Sequence, residues 1–329
     1  MTKPSHARLG NQCGVVCCYF GKWPPAFQLC LDSCGWNPDF DFILMTDIPL
    51  AGYRVPANVK VMPMAFADLR DRLVSFAVRE AGANEIRARK ALEHPYKICD
   101  YRPLFGEIFA AELSGLAYFG HCDVDLIWGR LGRFLPIEGD RYRKILPCGH
   151  LTLYRNEAEV CRAWRRAEDC GVRPFREVAE TSEACFFDED KGANRIFGKL
   201  WPEVFFARQP SEVPFDDLKW WLPDMVPIQR DDGIRRYYEF SAECGCQACT
   251  MRGLRVIRQE VAYVHFQKRT IDNRVPPDDA SCRWRFAGNR FVAGGPANAL
   301  LALIYVRNRF VRRLWGTVKW KIVHRRWRP

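Results

Sequence analysis

The sequence predicts an α/β fold, a mixed and mostly parallel sheet flanked by helices, followed by a basic C-terminal amphipathic helix. In the first half, short apolar runs of strand length alternate with helix-length stretches, the order that a parallel sheet with covering helices requires. Most of these runs are bounded by Gly, Pro or Asn, which punctuate the chain at turns. At 329 residues and 48% apolar content the chain is long enough for a sizeable core. No stretch reaches the roughly 18 uninterrupted apolar residues of a membrane span.

Residues 13–20 read as the first strand, 21–25 as a loop and 26–34 as a helix. Asn37-Pro38 marks a turn, so Asp39 and Asp41 read as the loop entry to a strand at 42–45. A third strand follows at 59–62. Residues 66–92 form a long helical stretch broken near Gly82. The run 116–120, between Gly115 and Gly120, has the length of a buried strand. Beyond residue 200 the pattern loosens. Pro202, Pro210, Pro214, Pro223 and Pro227 punctuate a long surface segment rather than a separate domain, and hairpin-like strands at 235–241 and 254–266 follow.

The chemistry concentrates at residues 122–129, where Asp123 and Asp125 close the apolar run that begins at 116. In open α/β sheets ligands collect outside the carboxyl ends of strands, so a strand that ends in Asp-Val-Asp delivers carboxylates where a nucleotide docks. Carboxylate oxygens suit Mg²⁺ or Mn²⁺, which complete their shells with water and substrate phosphates. The same spacing recurs at Asp39 and Asp41 and at Asp188 and Asp190, so context must separate them.

Fifteen cysteines, an odd number without framework spacing, read as reduced thiols and point to the cytoplasm. Residues 1–10 are polar and lack the apolar core of a secretory signal. Cys244, Cys246 and Cys249 offer three thiols at a turn for zinc, but a fourth ligand is missing nearby.

Charge is unevenly spread. From residue 280 onward there are twelve basic side chains and no Asp or Glu; since the whole chain carries +11, residues 1–279 sum to −1. Within this tail Val311, Leu314, Trp315, Val318 and Ile322 fall on one helical stripe, with Arg309, Arg312, Arg313 and Lys319 off it. Such a helix suits the interface of an anionic membrane and predicts a peripheral place on its inner face. Packing of the stripe on the main domain, or binding to a nucleic-acid backbone, are the alternatives. Nucleic acid is the least favoured, because the stripe is apolar and rich in tryptophan. The expected division is a catalytic domain at 1–295 and a membrane-associating tail at 296–329.

Four segments carry a resemblance: 97–106 with its Asp100-Tyr101-Arg102-Pro103, 122–129, 149–156 with its Gly149-His150, and 263–269 with His265. Together they resemble an uncharacterised bacterial family related to GT-A fold glycosyltransferases, similar to the retaining galactosyltransferase and glycogenin group, over roughly residues 12–270. The resemblance implies a GT-A-like, Rossmann-like domain that binds Mn²⁺ or Mg²⁺ and a nucleotide-sugar donor, foremost a UDP-sugar. It implies Asp123, Asp125 and His265 as metal ligands, the alternative for His265 being a hydrogen-bonded core histidine. Arg102 and Lys268 are implied at the donor phosphates, with Lys97 and Asp100 as further donor-site candidates; an Asp100–Arg102 structural pair is the other reading of Arg102.

Asp188 and Glu189 resemble the segment that the retaining group places around the reacting sugar, although Glu189 stands where that group has an amide. A solvated turn before Lys191-Gly192 is the alternative. The first strand should touch the nucleotide base, yet no residue in 15–20 stands out. The expected activity is hexosyl transfer to a glycan or lipid-linked acceptor in bacterial surface polysaccharide assembly, with retention favoured over inversion. Metal-dependent nucleotidyl transfer and a non-enzymatic membrane or nucleic-acid adaptor are the competing classes.

Overall fold

Four parallel strands carry the first half of the molecule. In this computed structural model the described residues are 13–136, 141–206, 216–217, 235–252, 255–267, 271–276, 278–279, 281–287 and 290–294. Strand β1 (Cys13–Cys18) leads through α1 (Phe27–Cys34) to β2 (Phe40–Thr46) and β3 (Val59–Pro63). Then come α2 (Phe66–Ala81), α3 (Glu85–Ala91), a 3-10 segment (Pro95–Leu104) and α4 (Phe105–Ile108). The chain continues through β4 (Tyr118–Cys122), β5 (Leu126–Trp128), β6 (Lys144–Cys148) and β7 (Leu151–Arg155). Helices α5 (Ala158–Cys161), α6 (Phe175–Ala179) and α7 (Ala193–Leu200) precede the short strands β8 (Phe205–Phe206) and β9 (Asp216–Asp217). A meander follows, β10 (Arg235–Ser241), β11 (Gly245–Arg252) and β12 (Arg255–Val261), and then β13 (Tyr263–His265), β14 (Asp272–Asn273), β15 (Arg283–Ala287) and β16 (Arg290–Ala293).

The main sheet has seven strands in the order β3-β2-β1-β4-β7-β6-β8. Its β3-β2-β1-β4 half is parallel, β7 runs antiparallel to both β4 and β6, and β8 is parallel to β6. The protein is therefore mixed α/β with a large, mostly parallel sheet, as the alternation of runs predicts. The chain travels outward from β1 to β3 and then returns to lay β4 on the other side of β1. The strand order thus reverses between β1 and β4, where ligands bind in open α/β sheets. Two further sheets, β12-β11-β10-β15-β16-β14 and β5-β13-β9, complete the fold.

Period-two alternation splits the core between the sheet's two faces. Val15 and Cys17 of β1 and Phe42 and Leu44 of β2 pack with α1 and with residues of the two smaller sheets. Val16, Ile43 and Met45 face the helical layer, where Leu69, Leu73, Val74 and Phe76 form the buried stripe of α2. Helix α2 stops at Gly82, whose φ of +69° suits a residue without a Cβ. Asn84 then caps α3 by accepting the Arg87 N–H at 3.0 Å. The break expected near Gly82 is this helix end and restart. Among the described residues no helix is long and apolar enough to cross a membrane.

Several expectations shift. The second strand starts at Phe40, so Asp41 lies within β2 rather than in a loop, and its buried carboxylate is paired with Lys60 of the neighbouring β3 at 2.6 Å. The strand expected at 116–120 runs instead over Tyr118–Cys122. Of the cysteines expected at a turn, Cys244 lies in the turn between β10 and β11, whereas Cys246 and Cys249 belong to β11, the middle strand of the meander. The basic tail 296–329, Lys268, Leu254 and Pro210, Pro214, Pro223 and Pro227 lie outside the described residues.

Gly120, in the middle of β4, is needed for close approach of β7. A Cβ there would stand 2.3 Å from the Thr152 carbonyl oxygen and 2.5 Å from Leu153 Cδ2. Backbone of a paired strand cannot yield as a side chain does. Gly120→Ala is expected to destabilise the fold by about 2 kcal/mol or more, read as a lowered urea midpoint; an unchanged midpoint would show that β7 moves freely.

Candidate metal and donor site

The acidic pair is fixed by main-chain bonds at both ends. The Asp123 N–H donates to the His150 carbonyl at 3.2 Å, and the Asp125 carbonyl accepts the Phe266 N–H at 2.9 Å. The second bond belongs to the antiparallel pairing of β13 with β5, which sets His265 opposite Leu126. An imidazole remote in sequence is thereby held beside the acids. His265 Nε2 lies 3.4 Å from Asp125 Oδ1 and 3.7 Å from Asp123 Oδ2. The ligand atoms of the three residues all fall within 4.8 Å of one another. The His265 side chain is 7% exposed, whereas those of Asp123 and Asp125 are 32% and 23% exposed, so the cluster is backed by protein and open on its acidic side.

Behind His265 stands His150, its ring stacked at a centroid distance of 4.2 Å, with His150 Nε2 in turn 3.1 Å from the Tyr263 hydroxyl. The stack limits rotation of the His265 ring.

Arg102 ties the acidic pair to the turn that carries Asp188. Its Nη1 donates to the Gly149 carbonyl at 2.7 Å and to Asp188 Oδ2 at 3.2 Å, while Nη2 donates to Asp123 Oδ1. The alternative pairing with Asp100 is not the one formed. Burial raises the Asp188 carboxyl, Arg102 lowers it and Glu189 adds to the rise, and the balance stands at about 7. Glu189 accepts the Gly149 N–H at 2.8 Å. A Cβ on Gly149 would fall 2.5 Å from Glu189 Oε1 and 3.1 Å from Asp188 Oδ2, so the glycine is what lets these acids close over the turn between β6 and β7. Rather than a freely solvated turn, the segment has Asp188 buried and Glu189 half-buried, with Asp190 exposed.

Lys97 and Asp100 lie behind this layer. They form a buried ion pair at 2.8 Å, and Lys97 also donates to the Glu183 carbonyl. Asp100 accepts the Cys185 and Phe187 N–H groups at 3.1 and 2.9 Å, which pins the strand of chain leading to Asp188. In place of the donor contact expected of them, both side chains are occupied in positioning the acid turn.

Sequence reasoning passed over four residues here. Gly149 and His150 lie in the 149–156 segment, where the sequence assigns neither a role. Tyr263 follows from the same strand as His265. Tyr19 stands just past β1 and stacks on Trp23 at 5.4 Å; burial, then the charge of Asp125, raises its hydroxyl pKa. Its signal was its position at the carboxyl end of the first strand. The three cysteines weighed as zinc ligands are not gathered: Cys246 and Cys249, three positions apart on β11, point to opposite faces, and Cys244 is exposed. Among the described residues the acid–acid–imidazole trio is the one group of three or more such donors.

The profile of a family of unknown function, DUF6625, matches residues 15–291. The chain belongs to this family. No curated protein matches it. The DUF6625 span includes Arg102, Asp123, Asp125, Asp188, Glu189 and His265 and stops short of the basic tail.

Beneath the acid turn of this DUF6625 member lies Lys144, fully buried, donating to the Leu146 carbonyl at 2.5 Å and packed over the Phe205 ring at 4.7 Å. Burial drops its ammonium pKa from 10.5 to about 7. Between those values the unfolded chain holds a proton at this lysine that the folded chain lacks, so the contribution of Lys144 to stability rises with pH across the window, at up to about 1.4 kcal/mol per unit. Burial raises the pKa of Cys13 and Cys99 and so lowers stability as pH climbs toward 10 in the native protein and in Lys144→Met alike, so the readout is the difference between the two. In urea unfolding from pH 7 to 10 the native protein should gain on Lys144→Met as pH rises, and parallel profiles for the two would contradict a neutral Lys144.

Proposed function

We propose that this protein is a metal-dependent glycosyltransferase with a GT-A-like domain, moving a sugar from a nucleotide-sugar donor, foremost a UDP-sugar, to a glycan or lipid-linked acceptor. The observation that carries the reading is the convergence of Asp123, Asp125 and His265 at the β1/β4 switch point.

The donor set suits a hard divalent ion. Neighbouring ligands on an octahedral ion, each at about 2.1 Å, lie roughly 3 Å apart, and the observed 3.4 and 3.7 Å separations need only small adjustment. Two carboxylates and one imidazole leave coordination positions for water and phosphate, as Mn²⁺ or Mg²⁺ requires. When bound, the ion supplies a Lewis acid that draws charge from the leaving nucleoside diphosphate.

The chain's own groups do the rest. Arg102 aims one Asp123 oxygen toward itself and leaves the other facing His265. Its guanidinium, mostly enclosed, puts fixed positive charge beside the donor phosphates. Asp188 and Glu189 supply negative potential where the oxocarbenium-like sugar develops positive charge. A retaining reaction is the favoured stereochemistry. Tyr19, at the carboxyl end of β1, offers an aromatic face beside the same crevice. Lys268, just past His265, is proposed to add a cation at the phosphates.

The Arg102-mediated link from the metal pair to a buried second acid favours glycosyl over nucleotidyl transfer, which needs no carboxylate near a sugar. We further propose that residues 296–329 hold the enzyme to the inner face of an anionic membrane in bacterial surface polysaccharide assembly, with nucleic acid the least favoured partner.

Incubation with Mn²⁺ and a panel of nucleotide sugars should release nucleoside diphosphate, and Asp125→Ala should lower that release by about 100-fold or more with the fold intact. Release of pyrophosphate instead would assign nucleotidyl transfer. For the tail, deletion after Pro296 is expected to reduce sedimentation with phosphatidylserine vesicles; equal sedimentation of both forms refutes the anchor.

A further inference from the structure

The acid turn has a second face. The segment 183–191 walls a pocket of about 270 Å³ whose lining includes Arg173, Val178, Glu183, Cys185, Phe187 and Lys191. A space of this size is far larger than a single water needs and admits one pyranose ring.

The lining has a two-part chemistry. Val178 and Phe187, each 1% exposed, make an apolar floor. Arg173 and Lys191 bring two cations to the lining, against the single carboxylate of Glu183. The cations are poorly compensated. The ion pair of Arg173 is a long 3.7 Å contact with Glu177 between two half-exposed side chains, and its Nη1 otherwise donates to Cys185 Sγ at 3.6 Å. Lys191 sits 5.1 Å over the Phe186 ring and makes no ion pair among the described residues. Phe186 itself is a large aromatic left 43% exposed, in a left-handed backbone conformation with φ +54°. A bulky residue held at such an angle and shown to solvent is strained, and strain of this kind gathers at ligand sites.

The pocket and the acids share one hydrogen-bonded turn. Ala193 N–H donates to the Phe187 carbonyl at 2.7 Å and Gly192 N–H to Glu189 at 3.1 Å, closing the turn that holds Phe187, Asp188, Glu189 and Lys191 together. A Cβ on Gly192 would fall 2.1 Å from the Phe187 oxygen, so the closure depends on that glycine.

We propose that this pocket is a subsite for an anionic sugar of the acceptor, a uronate or sugar phosphate. Its acid group lies between Arg173 and Lys191, its ring on the apolar floor, and the Glu183 carboxylate accepts a hydroxyl. The assignment rests on the glycosyltransferase reading and adds the acceptor's charge to it.

Binding of glucuronic acid, glucose 1-phosphate and glucose to the full chain, followed by saturation-transfer NMR, tests it. The charged sugars should bind at a Kd of about 1 mM or tighter and glucose at least about tenfold more weakly. The double variant Arg173→Gln/Lys191→Gln, both positions being exposed, should lose that preference while still binding Mn²⁺. Equal binding of glucose and the charged sugars, no binding at all, or an unchanged preference in the variant overturns the subsite. Asp125→Ala separates the two claims: it should lose Mn²⁺ and keep glucuronate. Failure of Mn²⁺ binding in the native chain with glucuronate retained removes the metal reading and leaves the pocket.

Discussion

The antiparallel pairing of β13 with β5 is the constraint on which the site depends. Only three residue pairs make it, ending at His265 opposite Leu126 and locked by the Phe266 N–H on the Asp125 carbonyl. Side chains alternate along a strand, so a slip of one residue would present Val264 in place of His265 and leave the acids without their imidazole. The register is secured by burial: Tyr263, Val264, Leu126, Ile127 and Trp128 are all core residues, and slippage would expose them. Burial of apolar side chains thus fixes a polar geometry. The same pairing explains how two motifs remote in sequence belong to one site.

Arg102 makes the second constraint. Its guanidinium shares a single charge among Asp123, Asp188 and the Gly149 carbonyl. A buried cation with one acid would be an ordinary structural pair, neutral overall. With two acids it leaves excess negative charge, which a divalent ion on the open side of Asp123 would balance. Burial already raises the Asp188 carboxyl, so this acid is the one whose charge is most sensitive to what binds nearby. Lys97 and Asp100 serve this arrangement from behind, fixing through backbone bonds the chain that delivers Asp188.

Much of this was legible in the sequence, and for a physical reason. Strand and helix periodicities are local, so β1, α1, β3, the α2–α3 break at Gly82 and the strand before Asp123 could be placed to within a few residues. Asp41 was misplaced because its compensation is tertiary: Lys60 comes from another strand. The cysteine meander was misplaced because β11 has little alternation of its own and takes its place from pairing with β10 and β12. In the site, the residue types at Asp123, Asp125 and His265 were readable, but their nearness rests on β13 register, which periodicity does not report. The roles of Lys97, Asp100 and Gly149 depend on packing distances and were out of reach. Tyr19 was within reach by position alone, as the first aromatic beyond β1.

The central claim is that Asp123, Asp125 and His265 jointly hold one divalent cation. Electron spin-echo spectroscopy of the protein loaded with one equivalent of Mn²⁺ tests it most directly, because a coordinated imidazole imprints nitrogen modulation on the manganese signal. The account predicts one strong nitrogen coupling that disappears in His265→Ala. A bound Mn²⁺ without nitrogen coupling, or with coupling that survives that substitution, would contradict it.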